Sequence, residues 1–538
     1  MKKIFIIKYS LFILIALCAF SCRPQSDELL SLGQNDDQAF ADANDSYAAE
    51  FKTLWYAMNE NYCIWDFEEA YGVDWDEVYA TYLPKFEELD ARNEDVTDDE
   101  LSALYCQFLD SLHDGHMDVY VQNLSTGNYL RLFPTLNRNR RERGAQLDSD
   151  EANVTTLDVY RTAAVDANYQ IKSYDATGSG LVVAEEMDTT ASRVIRAATE
   201  YIALVEAAGG PSMLYDSLYT AIVEMKKEFK HIQDVLHANT EDVITNSLGV
   251  FVPQYNDICL EYALAAKQIG VTLTPIETIM ETDGVMSLRF ALFEGNIAYI
   301  RIGGFGLTRH LHPALITPDT TSMYYAYQMA VNRVWHHWFD TIQSLHAAGQ
   351  LGGVILDVRN NNGGLVNDYQ YAMGALLPSG GWHGLTMRTK NGSGRLDYGP
   401  LVPFYFRTYS EEHAAITEEP IVVLANSLSI SLAENTVWGV ISQPNGYFIG
   451  TRTFGALSAL GVSPECYSEA YSGAFGVENV TPVYGKLPKY VCLYGDNLEI
   501  KEAHGFDPDK DIPLDVNLFQ STGRDNQLES ALDYIHSK

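Results

Sequence analysis

The sequence predicts an α/β chain: a mostly parallel sheet covered by helices in its second half, preceded by an N-terminal helical domain and a mixed middle region. Three observations predict it. Apolar residues recur at helical spacing between Ser46 and Ser111. From Gly295 onward, short continuous apolar runs alternate with helical segments, the pattern of strands buried on both faces. Between about Asn123 and Glu281 neither pattern dominates.

In chain order, the first element is a leader. Lys2, Lys3 and Lys8 precede the apolar run Leu11 to Phe20, which is shorter than the roughly 20 residues that span a bilayer comfortably. Ser21-Cys22 follows, a small residue before a cysteine, as lipoprotein processing requires; Cys18 is the poorer site because Leu17 precedes it. Cleavage before Cys22 leaves a lipid-modified N-terminus, so residues 1–22 are expected to be a lipoprotein signal peptide. An ordinary cleaved secretion signal is the alternative. The polar residues 23–45 read as a flexible tether. The chain is thus expected in the cell envelope, touching a bacterial membrane through a lipid anchor only.

Residues 46–122 form the expected helical domain. Phe51, Leu54, Trp55 and Met58 share one helical face, as do Leu101, Leu104, Tyr105 and Phe108. His113-Asp114-Gly115-His116 ends this run, the glycine breaking the helix, and Met117 to Val121 begin a strand. In the middle region, 123–290, Asn137 to Arg143 (NRNRRER) reads as a basic polar loop, and Thr190–Ala208 and Tyr215–His237 as helices. No Gly-Leu-Gly-like carboxylate-binding loop is evident there, so a PDZ-type module is not expected. In residues 291–538 the strands are Ile297–Ile302, Gly353–Val358, Ile421–Ala425 and one starting at Tyr447; the helices are Ala326–Ala348 and Ser431–Ser442.

Composition narrows the partners. Acidic residues number 72 against 36 basic ones, a formal charge of −36 that repels phosphate backbones, so nucleic acid is not an expected partner. Beyond Cys22 the cysteines are Cys63, Cys106, Cys259, Cys466 and Cys492, with no C-x-x-C pair, which argues against a disulfide framework or zinc site. A Cys466–Cys492 bridge stays open. His310, His312 and His336-His337 lack a convergent carboxylate and read as helix-surface or loop residues, so no metal or other cofactor is expected.

Two segments carry chemistry. Gly353 to Gly364 (GVILDVRNNNGG) runs from a buried strand into a polar turn and two glycines, where backbone N–H groups can face a ligand. Ile421 to Glu434 (IVVLANSLSISLAE) runs from a strand into a helix through three serines. A serine at such a junction lies near helix N–H groups able to stabilise an oxyanion, although capping is the usual role of serine there.

Together these segments resemble the tail-specific (C-terminal processing) serine peptidase family, which includes the tricorn catalytic domain and chlamydial secreted proteases. The DxRxNxGG element matches Asp357, Arg359, Asn361, Gly363 and Gly364; SxSxxE matches Ser429, Ser431 and Glu434. G-x-x-T-x-G matches Gly450, Thr453 and Gly455; E-x-x-G-x-x-P-D matches Glu502, Gly505, Pro508 and Asp509. Arg524 to Ala531 resembles the closing helix, so the likeness runs in order from about Gly295 to the C-terminus. It implies a ClpP/crotonase-like catalytic core and a serine peptidase acting on polypeptides that enter as extended strands.

One branch of the family activates its serine with a lysine just after Thr-x-Gly, but Ala456 stands there, and Lys486 and Lys489 match no element. The tricorn-like branch uses a histidine in an L-x-D-G-H element, which Leu112 to His116 resembles. The resemblance therefore implies Ser431 as nucleophile, His116 as general base and Glu502 as the carboxylate behind it, Glu499 being the nearby alternative. Oxyanion donors would be the backbone N–H groups of Gly364 and Leu432. The absent lysine leaves a second class of reading, a peptidase-fold lipoprotein that binds peptides or another ligand without turnover.

Overall fold

A computed structural model describes residues 46–92, 95–139, 141–144, 169, 171–176 and 288–538, with breaks at 319, 321–322, 378–381, 393, 410–412, 461–473 and 478–479, and scattered positions between 195 and 234. The leader, Cys22, the tether and most of the two helices expected at 190–208 and 215–237 lie outside the described residues.

Four helices open the fold: α1 (Tyr47–Asn61), α2 (Trp65–Ala70), α3 (Trp75–Asp90) and α4 (Asp98–Leu109). Ser46, Asp74 and Thr97 start α1, α3 and α4 by accepting first-turn amides on their side chains. Their apolar faces meet in one core, where Phe51 stacks on Phe86 at 4.6 Å between ring centroids. The chain then forms β1 (Asp118–Gln122) and β2 (Tyr129–Leu132), an antiparallel pair.

The expected polar loop is absent. Residues 134–139 and 141–144 are helical, with the Arg138 and Arg143 side chains bonded to backbone carbonyls while Arg141 and Glu142 stay at the surface. Strands β3 (Ile171–Ala176), β4 (Leu288–Phe293) and β5 (Ile297–Ile302) follow, then α5 (Leu307–Leu311), α6 (Met323–Ala347) and β6 (Gly353–Asp357). Next come β7 (Trp382–Thr389), β8 (Val402–Phe406), β9 (Ile421–Ala425), α7 (Leu432–Ile441) and β10 (Gly446–Gly450). The chain closes with β11 (Ala459–Leu460), β12 (Ala474–Phe475), β13 (Val483–Lys486), β14 (Pro488–Tyr494), β15 (Glu499–Ile500), β16 (Lys510–Asp511), α8 (Val516–Thr522) and α9 (Asn526–His536).

The main sheet has seven strands in the order β16-β10-β9-β6-β5-β4-β3. Neighbours from β16 to β5 are parallel, and β4 and β3 add an antiparallel edge. The period-two pleat sends alternate residues to opposite cores. Val354, Leu356, Ile421 and Val423 pack with Val331, Trp335 and Trp338 of α6 and with Val437 of α7. Ile355, Val422, Leu424 and Ile449 pack with Leu528, Ala531 and Ile535 of α9. Both faces are therefore covered, which is why these strands read as unbroken apolar runs.

The N-terminal helices do not stand apart from the late strands. β1 pairs with β13, from Asp118 opposite Lys486 to Val121 opposite Val483, within a sheet ordered β12-β13-β1-β2. Val483, Leu487, Val491 and Leu493 enter the same core as α1 and α4. β14 belongs to a further sheet, β11-β14-β7-β8, with β15 on β14. This shared core carries the 113–116 segment to the end of the main sheet. Among the described cysteines Cys63, Cys106 and Cys492 are free thiols; Cys259 and Cys466 lie outside the described residues.

Candidate active site

β6 and β9 are adjacent and parallel, and both chemistry-bearing segments leave the sheet at their carboxyl ends. Hydrogen bonds stitch the two turns together. Asn360 N–H donates to Asn426 Oδ1 at 3.0 Å, Ser429 Oγ to Val358 O at 2.7 Å, and Ile430 N–H to Asn361 O at 2.9 Å. Asn361 also bonds Ile302 O through Nδ2 and Gly363 N–H through Oδ1, at 2.9 and 2.8 Å. Below the turn, buried Arg359 bridges Asp357 at 2.6 Å and Asp525 at 2.8 Å, tying the first segment to the start of α9. Burial pushes the Asp357 carboxyl up, but Arg359 and Arg301 outweigh it and hold it below the usual range.

Of the three serines, Ser427 and Ser429 are buried, while Ser431 is partly exposed directly before α7. Ser431 has φ 57° and ψ −112°, a strained conformation costing on the order of 1–3 kcal/mol. Its N–H donates to Glu434 Oε2 at 3.1 Å, which holds the bend. Gly363 is pressed against it: a β-carbon there would stand 2.7 Å from Ser431 Cβ and 3.1 Å from the Leu432 nitrogen. Gly364, at φ 144°, leaves only 2.1 Å between such a carbon and Phe305 O. Among the described residues, neither the Gly364 nor the Leu432 N–H donates a hydrogen bond, so both remain available to an oxyanion.

Glu434 joins this elbow to the Thr-x-Gly loop. Fully buried, it also accepts from Thr453 Oγ1, Gly455 N–H and Ala456 N–H at 2.6, 2.8 and 2.9 Å. Burial raises its carboxyl above the usual value despite those donors. The 113–116 segment sits on the same loop, since a β-carbon on Gly115 would stand 2.3 Å from Ala456 Cα. Ala456, the position of the missing lysine, is wholly buried there. A longer side chain would displace the Asp114–His116 turn.

His116 is half-buried, with its Nδ1 enclosed and without a partner among the described residues. Burial pulls its pKa down to about 4, so the imidazole is neutral at pH 7, and the same burial disfavours its protonated form. The His116 backbone N–H donates to Asp114 Oδ1 at 2.7 Å. Glu502 is buried beside this turn and accepts from Gly115 N–H at 3.0 Å, Leu457 N–H at 2.9 Å and Ser458 N–H. Burial pushes Glu502 up to about 7.

The structure thus brings Glu502 onto the backbone next to His116, not onto its ring. Among the described residues no hydrogen bond joins Glu502 to His116, or His116 to Ser431. Glu499, the alternative acid, is exposed and paired with Lys501 at 2.6 Å. His113 is held by Glu68 at 2.7 Å, and Lys486 ends strand β13 opposite Asp118. Of the remaining histidines, His310 is buried rather than at the surface, and His337 lies 3.3 Å from Ser173 Oγ. No group of side chains able to hold a metal occurs among the described residues.

The tie from Asp357 through Arg359 to Asp525, the four-way role of Glu434, and the contacts of residues 134–139 and 141–144 are not legible from local pattern. The SxSxxE and G-x-x-T-x-G spacings flag Glu434 and Thr453 as a pair; nothing in the sequence flags Arg143.

Residues 296–464 match the family model of peptidase family S41, the domain of a hydrolase acting on peptide bonds. No curated protein matches the chain. A "putative peptidase" from Parabacteroides merdae ATCC 43184 is similar in structure at 16% identity and TM-score 0.45, over 91% of this chain and 96% of that one. Mature CPAF complexed with lactacystin is similar at 11% identity and TM-score 0.43, over 92% and 98%. The photosystem II D1 C-terminal processing protease is similar at 16% identity and TM-score 0.25, over 40% and 42%. At these identities and TM-scores the likenesses say nothing of site chemistry.

Proposed function

We propose that this chain, which carries a peptidase family S41 domain at residues 296–464, is a serine peptidase cutting exported or unfolded proteins through Ser431, His116 and Glu502. The observation that carries the reading is the Ser431 elbow: a strained, partly exposed serine before α7, pressed against Gly363 beside two unspent amides. Ser431 Oγ attacks the scissile carbonyl as His116 takes its proton. The oxyanion is held by the N–H groups of Gly364 and Leu432. His116 then protonates the leaving amine, and water, deprotonated by the same ring, releases the acyl group from Ser431.

Glu502 acts behind the base by fixing the Gly115 amide, and closes on the ring as substrate draws the site together; catalytic hydrogen bonds are commonly loose before substrate binds. The chain reaches its substrates from a membrane, held through a lipid on Cys22; no described helix is long and apolar enough to cross one. Purified protein is expected to hydrolyse an unfolded polypeptide, and Ser431→Ala to abolish this with folding intact. Activity surviving in that variant overturns the nucleophile, and a folded wild type that binds the polypeptide without cutting it overturns the enzyme.

A further inference from the structure

Residues 134–139 and 141–144 touch both halves of the proposed site. Thr135 Oγ1 donates to Asp114 O and Arg138 Nη1 to Leu112 O, so the carbonyls flanking His113 in the base-bearing turn are held from this segment. At its other end Arg143 donates to three successive carbonyls: Arg452 O at 3.1 Å, Thr453 O at 2.8 Å and Phe454 O at 2.9 Å. Asn139 adds a bond to Phe454 O at 3.3 Å. This is the loop whose next two amides, Gly455 and Ala456, are taken by Glu434 of the nucleophile helix. Its N–H side is thus fixed to the Ser431 elbow and its carbonyl side to Arg143, while Gly115 rests on its surface.

We propose that Arg143 is a positioning residue for the peptidase reaction, clasping the 452–456 loop so that the His116 turn and the Ser431 elbow keep their mutual register. The inference rests on the Ser431–His116 reading above. A guanidinium suits this role because it is permanently charged and planar. Its five donors are set in a rigid fork that holds the three carbonyls in one fixed arrangement, whereas an ammonium carries three donors on a flexible stem. Arg143 is half-buried and bonds loop carbonyls, so its loss loosens the loop more than it unfolds the chain. Arg141, two residues earlier, bonds Asp110 at the surface and provides the control.

The test compares wild type, Arg143→Ala, Arg143→Lys and Arg141→Ala as full chains. Turnover of an unfolded polypeptide is measured together with backbone hydrogen exchange over residues 113–117 and 452–458. Arg143→Ala is expected to lower kcat about 10- to 100-fold with KM within about twofold, the signature of misplaced groups. Exchange should rise in both segments, Arg143→Lys should fall between, and Arg141→Ala should match wild type. Unchanged kcat, or a raised KM at unchanged kcat, overturns the proposal. If wild type shows no turnover, the peptidase reading fails by itself and exchange alone decides the clasp: faster exchange in both segments upholds it, unchanged exchange overturns it. Should Arg143→Ala not fold, Arg143→Lys carries the same comparison.

Discussion

Gly115 lies against Ala456 so closely that a β-carbon on it would stand 2.3 Å from Ala456 Cα and 2.5 Å from Gly455 O. The turn bearing His116 and the loop supporting Ser431 therefore meet backbone to backbone, where no side chain fits. Gly115→Ala must push the two apart. It is expected to cost about 1–3 kcal/mol or more of stability, as overpacking does, and to remove most activity. Calorimetry checks the first and turnover the second; wild-type values in both would contradict the contact.

The same contact explains the missing lysine. Ala456 is wholly buried beneath Gly115, so the space a lysine would need is filled by the histidine-bearing turn. Ala456→Lys is expected to lower activity, and to leave His116→Ala inactive when the two are combined. Lys486→Ala and Lys489→Ala should stay within about twofold of wild type, the range of changes far from the chemistry. Rescue of His116→Ala by Ala456→Lys, measured as turnover, would show that a lysine base fits after all.

Stability should depend on pH through buried groups with opposite signs. Burial raises Glu502 to about 7, so the folded chain keeps that proton where the unfolded chain has lost it. Its contribution is complete below the ordinary value near 4.5 and is lost as pH rises through about 7. Asp114, raised by burial and by the neighbouring Glu502 and Glu68 charges, acts in the same direction. His116 is pulled down to about 4 from 6.5, so its contribution is present above 6.5 and lost as pH falls through about 4. Denaturant titrations across this range should show Glu502→Gln flattening the fall toward neutral pH, and His116→Ala flattening the fall on the acid side. An unaltered profile in either variant would contradict the assigned shift.

Arg359 is sealed between Asp357 and Asp525. Arg359→Met removes the buried cation that Asp357 and Asp525 share, leaving Asp357 with Arg301 at 3.3 Å, and should cost about 3–5 kcal/mol, read as a lowered denaturation midpoint. A loss under about 1 kcal/mol, the range of exposed pairs, would mean that the pair is hydrated.

The sequence made some of this legible and hid the rest for physical reasons. β6 and β9 are visible as GVILD and IVVLA because both faces are buried, and α6 because one stripe of a long helix is. The serine elbow is visible through the resemblance of the DxRxNxGG and SxSxxE elements, since a serine at a strand-to-helix junction is by itself usually a cap. The pairing of β1 with β13 is not, since nothing local encodes which distant strand Asp118 will face. Asn137 to Arg143 misleads because polarity marks solvent and backbone-binding roles alike. Glu502 is visible as a motif position, yet its partners are the amides of Gly115, Leu457 and Ser458, which no residue type announces.

The central claim is that Ser431 is a nucleophile activated by His116. Labelling with a fluorophosphonate, followed by mapping of the modified peptide, measures it most directly. Wild type should take up one label per chain, on Ser431, and His116→Ala should react at least about 100-fold more slowly, as loss of a general base requires. A folded wild type left unlabelled at Ser431, or a His116→Ala variant labelled as fast as wild type, would contradict it.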